Sequence, residues 1–534
     1  MSGLGRASVV LGAGTLVSRI TGLIRSIVLV GVIGSQASRV GDAFMIANQL
    51  PNSIYAIISA GVLTAVIVPQ IVRESAREDG GRRFLSALFT ASTVMLVVVT
   101  LIATLCAPLL ISVIASSTWT PEQHALATAF AYWCLPQLLF YGLYALLGEA
   151  LNARRIFGPF TWAPVVNNIV SIVGFVALMV VFGTDLTDVS QWTPEMIALL
   201  GGTATAGIAL QALVLVLFWR RTGLRIRPDF HWRGLGFRMM ARLAGWTALM
   251  VIVSEIAGLV QTRLVTEASG TGSSVAVMQN AWLVLMLPYS VIVLSIGTPY
   301  FTQLSEHASR GDTAAVRGDI LGSIRLMGLF VVAAAVALVV AAVPATRVFV
   351  NSTGDAVGAA PVLLAYLVGL VPLGVIFIIQ RTFYAYDDTR TPFLFTVLQG
   401  ALVVGTAWIA SATLPPEHLA AGIALGQSLA SLTQLVVAAL LLHRRIGGIH
   451  AAQWLVSLGR YVLAAIPAAI VGWLVYTWSG GDAGWMAAEK INGAAGAAVI
   501  GAAVGVVYLG ALLALRAPEL GPAIAVVRRV LLRR

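Results

Sequence analysis

Arg19 and Arg25 stand inside the first long apolar segment of a chain whose apolar segments are otherwise almost free of charge. A guanidinium near the centre of a bilayer costs about 2.5–3.5 kcal/mol on insertion scales and survives where it faces a partner or a wet cavity. A cationic cavity suits an anionic cargo, and arginine suits phosphate in particular, because its planar fork gives two charge-assisted hydrogen bonds at once. Arg19 falls about twelve residues into its segment, about 18 Å deep at the α-helical rise, near the middle of a membrane.

The elements that must position these residues follow from composition. Of the 534 residues, 59% are hydrophobic and 10% charged, where soluble domains carry about 25% charged residues. Apolar runs of about 20 residues cross the hydrocarbon, and fourteen are present, near 7–34, 43–72, 84–115, 123–151, 159–183, 195–219, 240–266, 273–302, 320–343, 357–384, 392–414, 417–442, 456–479 and 492–515. The reading is an all-α polytopic membrane protein. With the N-terminus cytoplasmic, 25 Lys and Arg fall on inside segments and four (Arg39, Arg263, Arg347, Lys490) outside, while Arg19, Arg25, Arg325 and Arg460 lie within spans. That asymmetry predicts both termini in the cytoplasm of a bacterial inner membrane protein. The first segment is too long for a signal-peptide core and reads as a retained span. The net charge of +11 thus reflects topology, not nucleic-acid binding, and the basic tail Ala523–Arg534 reads as a surface helix on anionic lipid.

An internal repeat organises the spans. Val17–Arg25 (VSRITGLIR) aligns without gaps on Val253–Gln261 (VSEIAGLVQ), and Leu50-Pro51 and Pro136 find counterparts in Leu287-Pro288 and Pro372 within a residue of the same offset. Six spans fit in one offset, so the copies run in the same direction, as parallel repeats about an axis along the membrane normal. The expected domains are residues 1–222 and 223–450, two six-helix bundles, and 451–534, two appended helices with a basic tail. Pro51, Pro136, Pro164, Pro288 and Pro372 are expected to bend their helices.

The repeat makes Glu255 the mate of Arg19 and Gln261 the mate of Arg25. Two readings follow: an Arg19–Glu255 ion pair that locks the halves, or a pair that an anionic substrate competes open. Asp42, at the start of the second span, either tethers Arg25 or Arg39 as an outer gate or is a hydrated loop-end carboxylate. Arg19, Arg25, Asp42, Glu255 and Gln261 are therefore the candidate substrate-binding residues. Glu149 is a proton carrier or a structural acid, and Asp387 with Asp388 a cation site or a hydrated pair. Cys106 and Cys134 lack metal-type spacing and read as inert. No phosphate loop, nucleophile elbow or zinc motif is present, which argues for no cofactor, no metal and no covalent catalysis.

Several stretches together resemble the MurJ/MviN-type lipid II flippases of the multidrug/oligosaccharidyl-lipid/polysaccharide exporter superfamily. They are Ser18–Arg25 (SRITGLIR), Gly41–Phe44 (GDAF), Leu50–Asn52 (LPN), Gly61–Pro69, Trp162–Asn168 (WAPVVNN) and Phe383–Pro392 (FYAYDDTRTP). The resemblance implies a flippase carrying undecaprenyl-pyrophosphate-linked peptidoglycan precursor from the cytoplasmic to the outer leaflet. It also implies that Arg19, Arg25 and Asp42 belong to a central cationic cavity and that the last two spans guide the lipid tail. The chain departs from the family pattern where Tyr55, Ala56, Trp282 and Leu283 replace family arginines or an acid-arginine pair, and where Glu255 replaces a common glutamine. Implied partners are the lipid-linked anionic substrate and membrane lipids. The competing readings are a multidrug or organic-cation antiporter worked by Glu255 and Glu149, and a nontransporting scaffold recruiting envelope-synthesis proteins through Arg220 to Arg242 or the tail.

Overall fold

The computed structural model describes residues 3–62, 82–154, 156, 158–222, 227–230 and 237–521. Among them every regular element is helical, and thirteen stretches are long and apolar enough to cross a membrane. These match thirteen of the fourteen expected runs. The remaining one begins in the helix Arg39–Val62, and its continuation to residue 72, like most of Gly61–Pro69 and the basic tail, lies outside the described residues.

Packing divides the chain into two compact units. The first contains α1 (Gly3–Ile33), α2 (Arg39–Val62), α3 (Arg82–Leu105), α4 (Ala107–Ile114), α5 (Pro121–Cys134), α6 (Gln137–Ala153), α7 (Gly158–Phe182), α8 (Pro194–Trp219) and α9 (Phe237–Val265). Here α1 lies on α7, α7 on α8, and α2 on α5, α6 and α9. One apolar cluster joins Leu85, Leu88 and Leu96 of α3 to Leu146, Ala150 and Leu151 of α6 and Leu215 of α8. Residues three and four apart on each helix supply these contacts, as a 3.6-residue period requires.

The second unit contains α10 (Val275–Pro288), α11 (Leu294–Ser309), α12 (Thr313–Val340), α13 (Ala342–Arg347), α14 (Thr353–Leu367), α15 (Leu370–Ala385), α16 (Arg390–Thr413), α17 (Pro416–Ile446), α18 (Ala451–Trp478), α19 (Trp485–Ala488) and α20 (Lys490–Ala514). The two helices after the repeats, α18 and α20, pack on α12 within this unit. Tyr461, Ala464, Ala465 and Ala468 of α18 meet Ile500, Val504, Tyr508 and Leu512 of α20, a stripe in which alanines admit close approach. Tyr508 hides its hydroxyl by donating to the carbonyl of Leu329, 3.0 Å away. Packing places its boundary after Ser269, one span later than the repeat, so α9 belongs with the first unit by contact and with the second copy by sequence.

The expected proline bends divide into two kinds. Pro51 and Pro164 sit inside unbroken helices. Pro136 instead separates α5 from α6, Pro288 precedes a π-helical turn at Tyr289–Val293, and Pro372 follows the break at Gly369 between α14 and α15. Pro136 and Pro372 are repeat mates, so the same span is broken in both copies.

Each break is held in the same way. Thr205 of α8 donates to the carbonyl of Trp133 (2.6 Å), and Ser428 of α17 donates to the carbonyl of Ala365 (2.7 Å). These hydroxyls lie on the sixth span of each copy, eleven and twelve residues after the helix starts. Hydrocarbon offers no hydrogen bond to a freed carbonyl, so a neighbouring helix must. Gly369 has no Cβ because one would lie 2.9 Å from Ser428 Oγ. Ser428→Ala is expected to lower stability by about 1–3 kcal/mol, the cost of a buried unsatisfied group; thermal unfolding in detergent measures it, and an unchanged midpoint contradicts this account of the break.

Candidate functional site

All five candidate residues belong to the first unit: Arg19 and Arg25 on α1, Asp42 on α2, and Glu255 and Gln261 on α9. The seating of α1 decides where its arginines point. Gly14 lets α1 approach Thr161 and Trp162 of α7 so closely that a Cβ there would lie 2.9 Å from both. One helical stretch on, Asn168 of α7 donates to the carbonyl of Ser18 and to the hydroxyl of Thr21, each at 3.0 Å. The SRITGLIR and WAPVVNN segments, 150 residues apart in sequence, are thus two halves of one contact. Its chemistry is a side-chain amide satisfied by a neighbouring helix.

Arg25 lies four residues beyond Thr21, close to that stripe, and is half-buried. It lies near the phenol of Tyr141 on α6. Tyr141 in turn stacks on Tyr55 of α2, ring centroids 6.0 Å apart at 25°. Arg19 precedes Arg25 by six residues, which turns it about 120° around the helix. It is exposed, and among the described residues it makes no hydrogen bond, ion pair or ring contact. The two arginines therefore occupy different faces, one braced and one presented.

Asp42 is fully buried in the first turn of α2, where a carboxylate complements the helix dipole. The GDAF segment has a local logic. Ser38 caps α2 by accepting from the Gly41 amide at 2.9 Å, and Gly41 leaves room for the Gly34 carbonyl, 3.0 Å from where a Cβ would stand. Phe44 is buried edge-on against Phe130, centroids 5.3 Å apart. Arg39 is exposed.

Glu255 is half-buried on α9, near Ser53 of α2. Ser53 follows the LPN segment directly and is buried, beside a small cavity lined also by Ile46, Leu50, Leu259 and Thr262. No ion pair joins Glu255 to Arg19 among the described residues, so the locking pair expected from the repeat is not made here. Gln261 is half-buried two residues before Arg263. Arg263 was counted as an outside-loop cation, yet it donates to the carbonyls of Ser112, Val113 and Ala115 at 3.2, 2.8 and 2.6 Å. It closes the C-terminal end of α4, where helix carbonyls lack intrahelical donors.

Two of the residues set apart from the family pattern by the sequence, Tyr55 and Trp282, have aromatic partners of their own. Tyr55 stacks on Tyr141, and Trp282 of α10 meets Tyr366 of α14 edge-on at 5.3 Å. Glu149, half-buried on α6, interacts electrostatically with Tyr55 and Tyr144. Cys134 is buried and Cys106 partly so, both as free thiols. Among the described residues no three His, Cys, Asp or Glu side chains are grouped as metal ligands. Asp388 pairs with Arg445 and accepts from the Thr391 amide (3.0 Å) and hydroxyl (2.8 Å), so it closes the turn between α15 and α16 and is committed to that turn. Asn168, Tyr141 and Arg263 carry roles that spacing alone did not reveal; the amide in a mid-span WAPVVNN run was the available signal.

Comparison with known proteins adds independent findings. The family model described as lipid II flippase MurJ matches residues 32–488, a range that starts just after Arg19 and Arg25. Curated relatives include the probable lipid II flippase MurJ of Haemophilus influenzae, 26% identical over 398 residues, 71% of this chain and 75% of that one. Another, from Rhizobium tropici, is 25% identical over 480 residues, 88% and 86% of the two chains. Among solved structures, lipid II flippase MurJ in an inward closed conformation superposes with a TM-score of 0.73 at 19% identity, covering 95% of this chain and 100% of that one. An inward-facing multidrug resistance MATE family transporter superposes at 0.62 with 16% identity, covering 83% and 98%.

Two outcomes are expected from this geometry. Asn168→Ala removes both bonds that seat α1 and should cost about 1–3 kcal/mol in thermal unfolding; no change would mean that α1 is held by van der Waals contact alone. For Asp388, burial pushes its carboxyl upward, but the Thr391 bonds and Arg445 outweigh it and hold the carboxyl below its ordinary value. Its contribution to stability is then complete above about pH 3.9 and is lost as pH falls through the lower folded value. Asp388→Asn should flatten the acid limb of a melting-temperature profile while leaving a smaller constant loss, and an unaltered acid limb contradicts the assignment.

Proposed function

The chain belongs to the lipid II flippase MurJ family, and from that premise we propose how its own residues handle an anionic lipid in a multi-pass membrane transporter. The cargo is an undecaprenyl-pyrophosphate-linked peptidoglycan precursor, carried from the cytoplasmic to the outer leaflet of the bacterial inner membrane with no covalent step. The reading rests above all on Arg19: a mid-span guanidinium, exposed and making no hydrogen bond or ion pair among the described residues. Such a group lowers its free energy by meeting a phosphate in a hydrated cleft.

Arg19 captures the diphosphate, and Arg25, steadied beside Tyr141, contributes a fixed positive potential from the adjacent face. Glu255 and Gln261, at the matching positions of the second copy, complete the lining. Glu255 opposes phosphate and so favours release once the repeats have rocked past one another, as parallel-repeat transporters do to alternate access. Asp42 holds the geometry of the α2 N-terminus. The arginine count supports both termini in the cytoplasm, with the basic segments fringing the inner leaflet.

A second reading has one observation behind it beyond the fold shared with a MATE transporter: among the described residues no cation pairs with the half-buried Glu255, an arrangement suited to an organic cation. Glu255→Gln separates the two: it abolishes cation efflux but spares lipid flipping.

In cells depleted of their own lipid II flippase, Arg19→Ala and Arg25→Ala are each expected to insert normally and to fail in complementation. Loss of a charge-assisted hydrogen bond of about 1.5–3 kcal/mol corresponds to about 10- to 100-fold weaker retention of the diphosphate. Normal growth of either variant removes that arginine from the transport route.

A further inference from the structure

Two of the four cations assigned to spans, Arg325 and Arg460, play no part in the proposed route and meet elsewhere in the second unit. Arg325 of α12 and Arg460 of α18 share one acid, Glu519, five residues past the end of α20. The distances are 3.6 Å from Arg325 Nε to Glu519 Oε1 and 3.7 Å from Arg460 to Oε2. Both exceed the roughly 2.7–2.9 Å of a charge-assisted hydrogen bond. The direct bond to the carboxylate comes instead from Ser457, at 3.0 Å to Oε1. Arg325 Nε and Glu519 Oε2 are buried without a hydrogen-bond partner. Glu519 itself is buried, its side chain 8% exposed, while both arginines keep 31% of their side chains open.

The charges do not balance. The helices α18 and α20 contain no Asp or Glu, and from Arg516 to the C-terminus Glu519 stands alone among five arginines. On α12 the only acid is Asp319, which is bonded to His307 at 2.7 Å. On α11, Glu306 is paired with Arg310 at 2.5 Å, and α15 adds only the cation Arg381, stacked over Phe301 and Phe377. One positive charge is left over. Arg460 lies about 14 Å along α18 from its start at a 1.5 Å rise, within snorkelling reach of the interface for a long side chain. An excess cation at that depth needs a counter-anion, and basic pockets between spans on such a face take lipid phosphates.

We propose that the open edges of Arg325 and Arg460 hold the phosphodiester headgroup of one anionic bilayer phospholipid, at the membrane face that carries the arginine-rich loops. Glu519 keeps the two guanidinium groups together from behind, and the lipid supplies the missing negative charge in front. The site fixes α12, α18 and the segment after α20 to a lipid.

The test uses the full chain in phosphatidylcholine nanodiscs doped with phosphatidylglycerol, with bound lipid counted by native mass spectrometry. Phosphatidylglycerol is expected to be retained over phosphatidylcholine. Arg460→Gln should weaken that retention about fivefold, the share of one basic residue near a membrane surface. Glu519→Gln, which is isosteric and raises the local charge, should strengthen it by a similar factor, an effect that a purely structural cluster does not produce. A competition arm adds a polyprenyl diphosphate at equal concentration. The proposal is overturned by retention that neither variant changes, and equally by displacement of phosphatidylglycerol by the diphosphate lipid, which assigns the pocket to the cargo. Because the readout is binding, its failure leaves the transport reading to the complementation experiment.

Discussion

Hydrocarbon forgives no unpaired backbone group, and that constraint decides most of what distinguishes this fold from a plain bundle of spans. A proline in a span removes one donor and frees a carbonyl; a break frees more. Both copies of the repeat break their fourth span at Pro136 and Pro372, and both set a hydroxyl from the sixth span against it, Thr205 and Ser428. The break and its cap form one device, inherited twice. It lets each unit contain a fixed angle within a span without exposing polar backbone to lipid, and the helices next to it, α6 and α15, then start in a direction that a continuous helix would not allow.

The arginines obey a related rule. Arg263 spreads over the last carbonyls of α4, and Arg347 donates to the carbonyls of Val350, Ala487 and Ala488 at 2.7–2.9 Å. Arg317 reaches the carbonyl of Ile446 at the end of α17. In each case a guanidinium satisfies helix ends that have run out of donors, a favourable meeting of cation and negative dipole end. Arg325 and Arg460 share a carboxylate, and Arg25 lies near the phenol of Tyr141. Set beside these, Arg19 differs in kind: among the described residues it makes no hydrogen bond or ion pair, which is why the proposed reading gives it the ligand.

How much of this was legible follows from which physics each feature uses. The spans were readable because hydrocarbon thickness sets a length and composition that any sequence window reports; only the run at 43–72, whose described part is the helix Arg39–Val62, is not fully matched. The repeat was readable at Pro136 and Pro372 because a missing N–H has the same consequence in both copies. Pro51 and Pro164 stand inside helices that run through them unbroken, so a proline in a span does not by itself mark a break. The Arg19–Glu255 pair was inferred from symmetry alone, and symmetry relates positions in two copies without bringing them within bonding distance. Glu255 instead lies near Ser53, a neighbourhood set by how α9 packs on α2, which no local pattern encodes.

The aromatic substitutions carry the remaining step. Where related sequences were expected to place further cations, this chain has Tyr55 and Trp282, and each ring has a neighbour, Tyr141 and Tyr366. Such edge-on and stacked pairs are worth about 0.5–1.5 kcal/mol beyond their burial, and they need no counter-ion. Each pair stands within its own unit. Tyr141 stacks on Tyr55 and lies near Arg25. A flippase must let go of its cargo in the opposite leaflet, so binding energy beyond what captures the headgroup slows release. On the proposed reading Arg19 and Arg25 supply the capture, and Glu255, an anion at the matching position of the repeat, favours the release.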